Sequence, residues 1–372
     1  MANILMQCLW KKDSAPAIAL SMAKGFADNA ENHVYCIISD QISNKSQWIQ
    51  DSRLNIYTID TGNQKSFVQK SLYLKLVEIR RLKTIFSGIE FHISIQPFVH
   101  PWGNIINNSL QAAHKIGICH DPNPHTGEKF INKFFSEYGY RSTNELIALT
   151  KQYIQPIYKK YGKPVYYMRH GLFSSYRNIA CDISFYDSEN INFLFFGRIE
   201  EYKGIDMLLK AYSNICQKYD KVSLTIAGNG DMSQYRESII ACKNINIINR
   251  YIEDSEIAPL FSGENLIVIL PYLEATQSGV IPIAIDFNVP IIASNTSGLV
   301  EQLDRGRIGK IFETGNIDEL TLTMQYAIEN PSFCEEEKRK MKTYTRELEW
   351  NFITNKLLDD VQNSRFASMR DY

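Results

Sequence analysis

Short apolar runs alternate with longer amphipathic stretches along this chain, and no other feature constrains its fold as tightly. A strand buried on both faces reads as a brief continuous apolar run. A helix laid over it reads as a longer stretch with a period of about 3.6 residues. Repetition of the two argues an α/β architecture with mainly parallel sheets. Strands are expected near 3–8, 34–38, 55–59, 90–95, 115–119, 145–149 and 164–168, then near 192–196, 222–227, 245–248, 266–270, 290–293 and 309–312. The principal helices are expected over 14–28 and 66–86 in the first series, and over 204–219, 232–242, 254–261, 277–287 and 318–329 in the second.

The 372 residues suffice for two domains. The polar stretch 174–190 lacks periodicity and separates a first domain, 1–173, from a second, 191–345. A last helix near 350–361 lies within 346–372, a segment expected to return to the first domain. No apolar run approaches the roughly 20 residues needed to span a bilayer. Met1 to Trp10 lacks the basic and small-residue flanks of a signal peptide and reads as a first buried strand. The seven cysteines include no CxxC pair, which argues against structural zinc and a disulfide framework and fits a reducing cytoplasm.

Three loops of the second half carry chemistry. After strand 192–196 come Gly197, Arg198, Lys203 and Gly204. Gly197 permits a tight exit, and the two cations suit a diphosphate, Arg as a fork and Lys as a point charge. They would otherwise be two solvated surface cations. After strand 266–270 the chain reads Pro271-Tyr272-Leu273-Glu274-Ala275-Thr276-Gln277-Ser278-Gly279. The backbone amides of Gln277, Ser278 and Gly279 would then open a helix, where unpaired N–H groups and the dipole favour phosphate. Glu274 has the chemistry to hold sugar hydroxyls, or to cap that helix. The third loop, Ser294-Asn295-Thr296-Ser297-Gly298-Leu299-Val300-Glu301, opens on the same edge, and a Gly228-Asn229-Gly230 turn adds a fourth. Parallel sheets bind ligands at the carboxyl ends of their strands.

In these motifs, from 192 to 329, the chain resembles the retaining glycosyltransferases of family 4. The resemblance implies the GT-B fold, two Rossmann-like domains facing across a cleft. It also implies a hexosyltransferase that moves a sugar from a nucleotide-diphosphate donor with retention of configuration, without metal or other cofactor. Arg198 and Lys203 would bind the donor diphosphate, with Gly197 and Gln277 beside them. Glu274 would contact the donor sugar, Ser278 and Gly279 the distal phosphate, and Glu301 the nucleotide side. The family's second loop carboxylate has no counterpart, since its position falls on Ile283, and EATQSG stands where EGFG is commoner.

The first half resembles the family less closely. Its glycine-rich first loop is replaced by Trp10-Lys11-Lys12-Asp13-Ser14-Ala15-Pro16. His120 and Asp121 follow strand 115–119, where the family places a functional pair. A His there could orient hydroxyls or shuttle a proton. Trp102, His125 and Glu128 are further acceptor-side candidates, with His100 and Pro101 beside Trp102. His120, His125 and Glu128 match no standard zinc spacing. Residues 1–173 hold 20 basic and 12 acidic side chains, a balance of +8, and the remainder 20 and 29, a balance of −9. The basic stretch 66–86, with Lys70, Lys75, Arg80, Arg81 and Lys83 among leucines, fits either a solvated face or an anionic membrane surface. No nucleic-acid motif occurs. The expectation is a cytoplasmic enzyme, peripheral at the inner face of the membrane, that extends a lipid-linked glycan in surface polysaccharide or O-antigen synthesis. A transferase with a soluble acceptor and a non-catalytic nucleotide-sugar-binding subunit are the rivals.

Overall fold

The first seven strands are β1 (Asn3–Cys8), β2 (His33–Ser39), β3 (Leu54–Ile59), β4 (Phe91–Gln96), β5 (Ala112–Cys119), β6 (Glu145–Ala148) and β7 (Val165–Tyr167). They form one sheet in the order β3-β2-β1-β4-β5-β6-β7, every pairing parallel. The next six are β8 (Ile191–Phe196), β9 (Val222–Gly228), β10 (Ile245–Asn249), β11 (Leu266–Leu270), β12 (Ile291–Ser294) and β13 (Lys310–Phe312). They form a second parallel sheet, β10-β9-β8-β11-β12-β13. This computed structural model describes residues 1–12, 14–62, 67–120, 137–173, 176–177 and 185–367. The chain divides into two units, Met1–Gly171 with Glu349–Tyr372, and Leu172–Leu348.

Each sheet is a Rossmann-like array, and each reverses its strand order once: between β1 and β4 in the first unit, between β8 and β11 in the second. At such a reversal the connections leave to opposite sides, and the loops after the two strands splay apart to leave a crevice at their carboxyl ends. The candidate loops 197–204 and 271–279 follow β8 and β11, so the topology places them at the second unit's reversal.

Burial explains the strands. All five residues of β11 are buried, as are Asn192 to Phe195 in β8. Helices cover both faces, so each large apolar side chain contributes about 2–3 kcal/mol of transfer free energy. Helix Ile205–Lys218 buries Ile205, Leu208, Leu209, Tyr212, Ile215 and Cys216, one stripe at helical spacing. Several helices escape the reading from periodicity, among them the short Lys45–Gln50, Pro101–Ser109 and Ser297–Gln302 and the 12-residue Phe333–Tyr344. The helix expected over 66–86 is interrupted. It runs Phe67–Tyr73, passes through a π-turn over Leu74–Glu78, and resumes as Ile79–Ile85.

Helix Trp350–Gln362 lies in the first unit against helix Ser14–Ala27. Its Trp350 is 6% exposed and needs two glycines. A Cβ on Gly25 would stand 2.6 Å from Trp350 Cβ, and one on Gly171 2.4 Å from Trp350 Cε2. Glycine is therefore the residue whose volume fits at both positions.

Candidate active site

Four loops of the second unit are joined backbone to backbone, and glycines make the joins. Gly228, at φ +153°, lies where a Cβ would be 1.8 Å from the Gly197 carbonyl oxygen. A Cβ on Gly230 would stand 2.3 Å from the Ile199 carbonyl oxygen, and the two residues form a parallel bridge. Gly204, at φ +70°, would place a Cβ 1.9 Å from the Pro271 carbonyl oxygen, and the Leu273 N–H donates to the Tyr202 carbonyl at 2.7 Å. Gly298 packs on the Thr276 carbonyl, with 2.2 Å to a Cβ position. Ser294 Oγ donates to the Tyr272 carbonyl at 2.5 Å. The loops after β8, β9, β11 and β12 thus form one body at the sheet's carboxyl edge.

Lys203 lies at the centre of that body. Its Nζ donates to Tyr272 Oη at 3.1 Å, sits 4.7 Å from the centre of the same ring, and is 3.0 Å from a Cβ position on Gly197. The Tyr272 hydroxyl is 3.4 Å from Ser278 Oγ, which accepts the Val280 N–H at 3.2 Å. A continuous polar chain therefore links the cation of one loop to the serine of the other. Arg198 is mostly exposed and pairs with Glu200 at 3.2 Å. Burial holds the Tyr202 hydroxyl above its ordinary range, while Lys203 and Arg198 pull it down, so both cations lie within electrostatic reach of that hydroxyl.

The loop after β11 differs from its expected form in one respect. The helix begins at Val280, not at Gln277, and the Ser278 backbone amide is already taken. Gln302 Oε1 accepts the Ser278 N–H at 2.7 Å, and Gln302 Nε2 donates to the Ser278 carbonyl at 3.0 Å. Ser278 is thus 4% exposed, its amide held by Gln302 and its hydroxyl against Tyr272 and the Val280 N–H. Gln277 is half-buried, and Gly279 is exposed with open space where a Cβ would stand. Glu274 is exposed and Glu301 half-buried. Ile283, where the resembling family carries a carboxylate, is buried in helix Val280–Asp286. The buried acid of that helix is Asp286, paired with Arg177 at 3.1 Å, its carboxyl pushed up by burial to about 6.

Gln302 was not a sequence candidate, because its partner lies 24 residues away and neither residue signals the contact. Removing the carboxamide in Gln302→Ala should free the Ser278 peptide and cost about 1–3 kcal/mol of stability, the scale of two net hydrogen bonds. Scanning calorimetry checks this; an unchanged melting point would mean that the clamp does not set the loop.

In the first unit, His120 follows β5. It stacks on Phe98 with ring centres 4.0 Å apart at 13°, and its Nε2 lies 2.6 Å from the Pro97 carbonyl. A carbonyl accepts only, so the ring proton is on Nε2 in the neutral imidazole. Burial pushes the imidazole down to about 4, against the opposing Pro97 hydrogen bond, so it is uncharged at neutral pH. Asp121, His125 and Glu128 lie outside the described residues. Trp102, expected on the acceptor side, is a core residue instead. It is 8% exposed, stacked on Phe67, with Nε1 donating to Ser71 Oγ at 2.9 Å. Pro101 opens the helix there and His100 caps it, accepting the Trp102 N–H at 3.1 Å. Among the described residues no three His, Cys, Asp or Glu side chains are grouped to hold a metal ion.

Residues 182–348 match the family model of glycosyl transferases group 1. An uncharacterized glycosyltransferase of Haemophilus influenzae is 28% identical over 144 residues, 38% of this chain. That match spans 41% of the relative's length. Among solved structures, Anabaena Alr3699/HepE in complex with UDP and glucose superposes with a TM-score of 0.66 at 12% identity, over 98% of this chain and all of that one. WaaG, a glycosyltransferase involved in lipopolysaccharide biosynthesis, gives 0.61 at 12%, over 97% and 99%. The fold is GT-B, two parallel Rossmann-like sheets with their helices.

Proposed function

We propose that the protein is a glycosyltransferase that takes its sugar from a nucleotide-diphosphate donor bound at the reversal between β8 and β11. The observation that carries this is the chain from Lys203 Nζ through Tyr272 Oη to Ser278 Oγ, which links a cation and a hydroxyl from the two loops beside the reversal. A departing diphosphate develops charge there, and fixed donors at that point lower the barrier. Lys203 and Ser278 contact the diphosphate and Arg198 closes on it from solvent. Gly197 and Gly279 leave room for its approach, and Gln277 lines the same loop. Glu274 meets the sugar and Glu301 the nucleotide side. His120, with Asp121, serves the acceptor, and His125 and Glu128 are further candidates for that role. The reaction proceeds with retention and without metal or other cofactor, since the two cations take the leaving charge.

The test is a thermal-shift screen of nucleotide-sugars followed by a turnover assay. A true donor raises the melting point by linkage, and a nonligand does not. Turnover that is lost in Arg198→Ala supports the transferase reading. Binding without turnover, with acceptor supplied, supports a non-catalytic nucleotide-sugar-binding subunit.

The finer reading is a lipid-linked glycan acceptor in surface polysaccharide synthesis, met at the cytoplasmic face of a membrane. It is supported by an exposed apolar face on residues 67–85, where Val68 is 74%, Leu72 57% and Val77 47% exposed beside exposed Lys75, Arg80 and Lys83. Such a face combines insertion with attraction to anionic lipid. No described helix is long and apolar enough to cross a membrane. Vesicles containing phosphatidylglycerol should pellet the wild type at physiological salt, and Val68→Asp with Leu72→Asp should reduce the bound fraction about tenfold. Failure of the wild type to bind favours a soluble acceptor.

A further inference from the structure

The second sheet has an amino edge as well as a carboxyl edge, and a cavity of about 950 Å³ opens there. Asp187 and Ser188 lead into β8, Gly263 and Glu264 into β11, and Phe287 and Asn288 into β12. The candidate donor loops leave the opposite ends of β8 and β11. The five residues of β11 hold the two edges about 17 Å apart. Every residue that lines the cavity belongs to the second unit.

Aromatic rings form its floor. Tyr186 is fixed by its hydroxyl, which donates to the Leu260 carbonyl at 2.7 Å. Phe261 is buried and packs on Phe287 with 5.8 Å between ring centres. Phe287 ends helix Val280–Asp286 and is only half-buried, so part of its surface lines the cavity. Asn288 follows in the left-handed region, at φ +57°. Its Oδ1 is buried and has no hydrogen-bond partner among the described residues. A buried acceptor without a donor is costly, and a ligand N–H would relieve that cost.

Helix Phe333–Tyr344 supplies the charged rim. Glu335, Lys338 and Lys342 fall at i, i+3 and i+7, on one face of that helix. Lys338 Nζ donates to the Glu264 carbonyl at 2.8 Å and to Glu335 Oε1 at 3.1 Å, which fixes the ammonium and offsets the charge of Glu335. Lys342 is exposed and forms no ion pair among the described residues. Asp187 Oδ1 accepts the Glu189 N–H at 2.9 Å, and the Glu264 side chain is exposed.

These groups match one ligand chemistry. A flat base needs a ring to lie on and an acceptor for its amino N–H, which Phe287 and Asn288 Oδ1 offer. A ribose diol suits a carboxylate, here Glu264. A phosphate suits ammonium groups, here Lys338 and Lys342. The volume is within the usual range of small-molecule sites, roughly 300–1,000 Å³. We infer that this cavity is a nucleoside-monophosphate site, separate from the donor site and on the opposite edge of the same sheet. The site stands whether or not the protein transfers a sugar.

The test is equilibrium dialysis of the full chain against AMP, GMP, CMP and UMP, with inorganic phosphate as the control. At least one nucleotide should bind with a Kd below about 1 mM, and phosphate alone should not. Lys342→Glu reverses the free cation and should weaken that binding about tenfold. Asn288→Gly removes the carboxamide, keeps a residue that tolerates the positive φ, and should weaken binding about fivefold. Arg198→Ala, in the loop after β8, should leave it unchanged. Melting curves show that the variants are folded. No nucleotide bound below about 1 mM, or phosphate bound equally well, overturns the inference. So does binding that Lys342→Glu and Asn288→Gly leave intact. Binding that falls in Arg198→Ala would place the ligand at the donor loops and overturn it too.

Discussion

Lys203→Met should lower donor turnover about 10²–10³-fold, the scale seen when one preorganised donor to developing charge is removed. The reason is placement. Among the four joined loops, the Lys203 ammonium is the one held between the Gly197 backbone, the Tyr272 hydroxyl and the Tyr272 ring. Met keeps most of the aliphatic stem and removes the charge. Arg keeps the charge but brings a longer planar fork into a space that Gly197 and Tyr272 already bound, so Lys203→Arg should recover only part of the activity. The loss should appear in kcat more than in KM, because the leaving diphosphate gains charge in the transition state. Steady-state kinetics on the three forms, with melting curves to show equal folding, check this. Full activity in Lys203→Met would remove Lys203 from the chemistry.

The second large effect is on stability. Gly204→Ala adds a methyl where the Pro271 carbonyl oxygen is 1.9 Å away, at a φ of +70° that an L side chain adopts at a penalty. The oxygen belongs to backbone held by β11, so it cannot rotate aside. Strain and overpacking together should cost about 4 kcal/mol, which lowers the melting point of a unit this size by roughly 10 °C. Gly279→Ala is the internal control from the same loop cluster. Its φ is −67° and nothing lies within 4 Å of the new methyl, so it should leave the melting point unchanged or slightly raised. Equal effects of the two substitutions would contradict the account of the loops as one glycine-joined body. Scanning calorimetry of the two variants decides it.

The two substitutions also mark what was legible in the chain. β8 and β11 were readable because strands covered on both faces must be apolar throughout, and Leu266 to Leu270 is such a run. Gly204 was readable as a glycine at a helix start, but its partner Pro271 was not, because the contact is set by how two loops fold over the sheet edge. The same holds for the Gln302 carboxamide on Ser278. That contact takes one of the three amides expected to bind phosphate, and the helix starts at Val280 where the sequence reading puts its start at Gln277. Trp102 lies in the core and not on the acceptor side, and the chain holds a usable signal for this. His100-Pro101 is a cap followed by proline at the first helical position, which turns Trp102 into the core. Trp10 carried no such signal, since only the fold shows that its indole stays at the surface while the other three tryptophans are covered.

The central claim is that the loops after β8 and β11 close on one diphosphate. A crystal structure of the protein with UDP tests it most directly. The account predicts phosphate oxygens within about 3.2 Å of both Lys203 Nζ and Ser278 Oγ, ordinary hydrogen-bond distances, with the Gln302–Ser278 pair intact. A diphosphate bound elsewhere, or one that touches neither Lys203 nor Ser278, would contradict it.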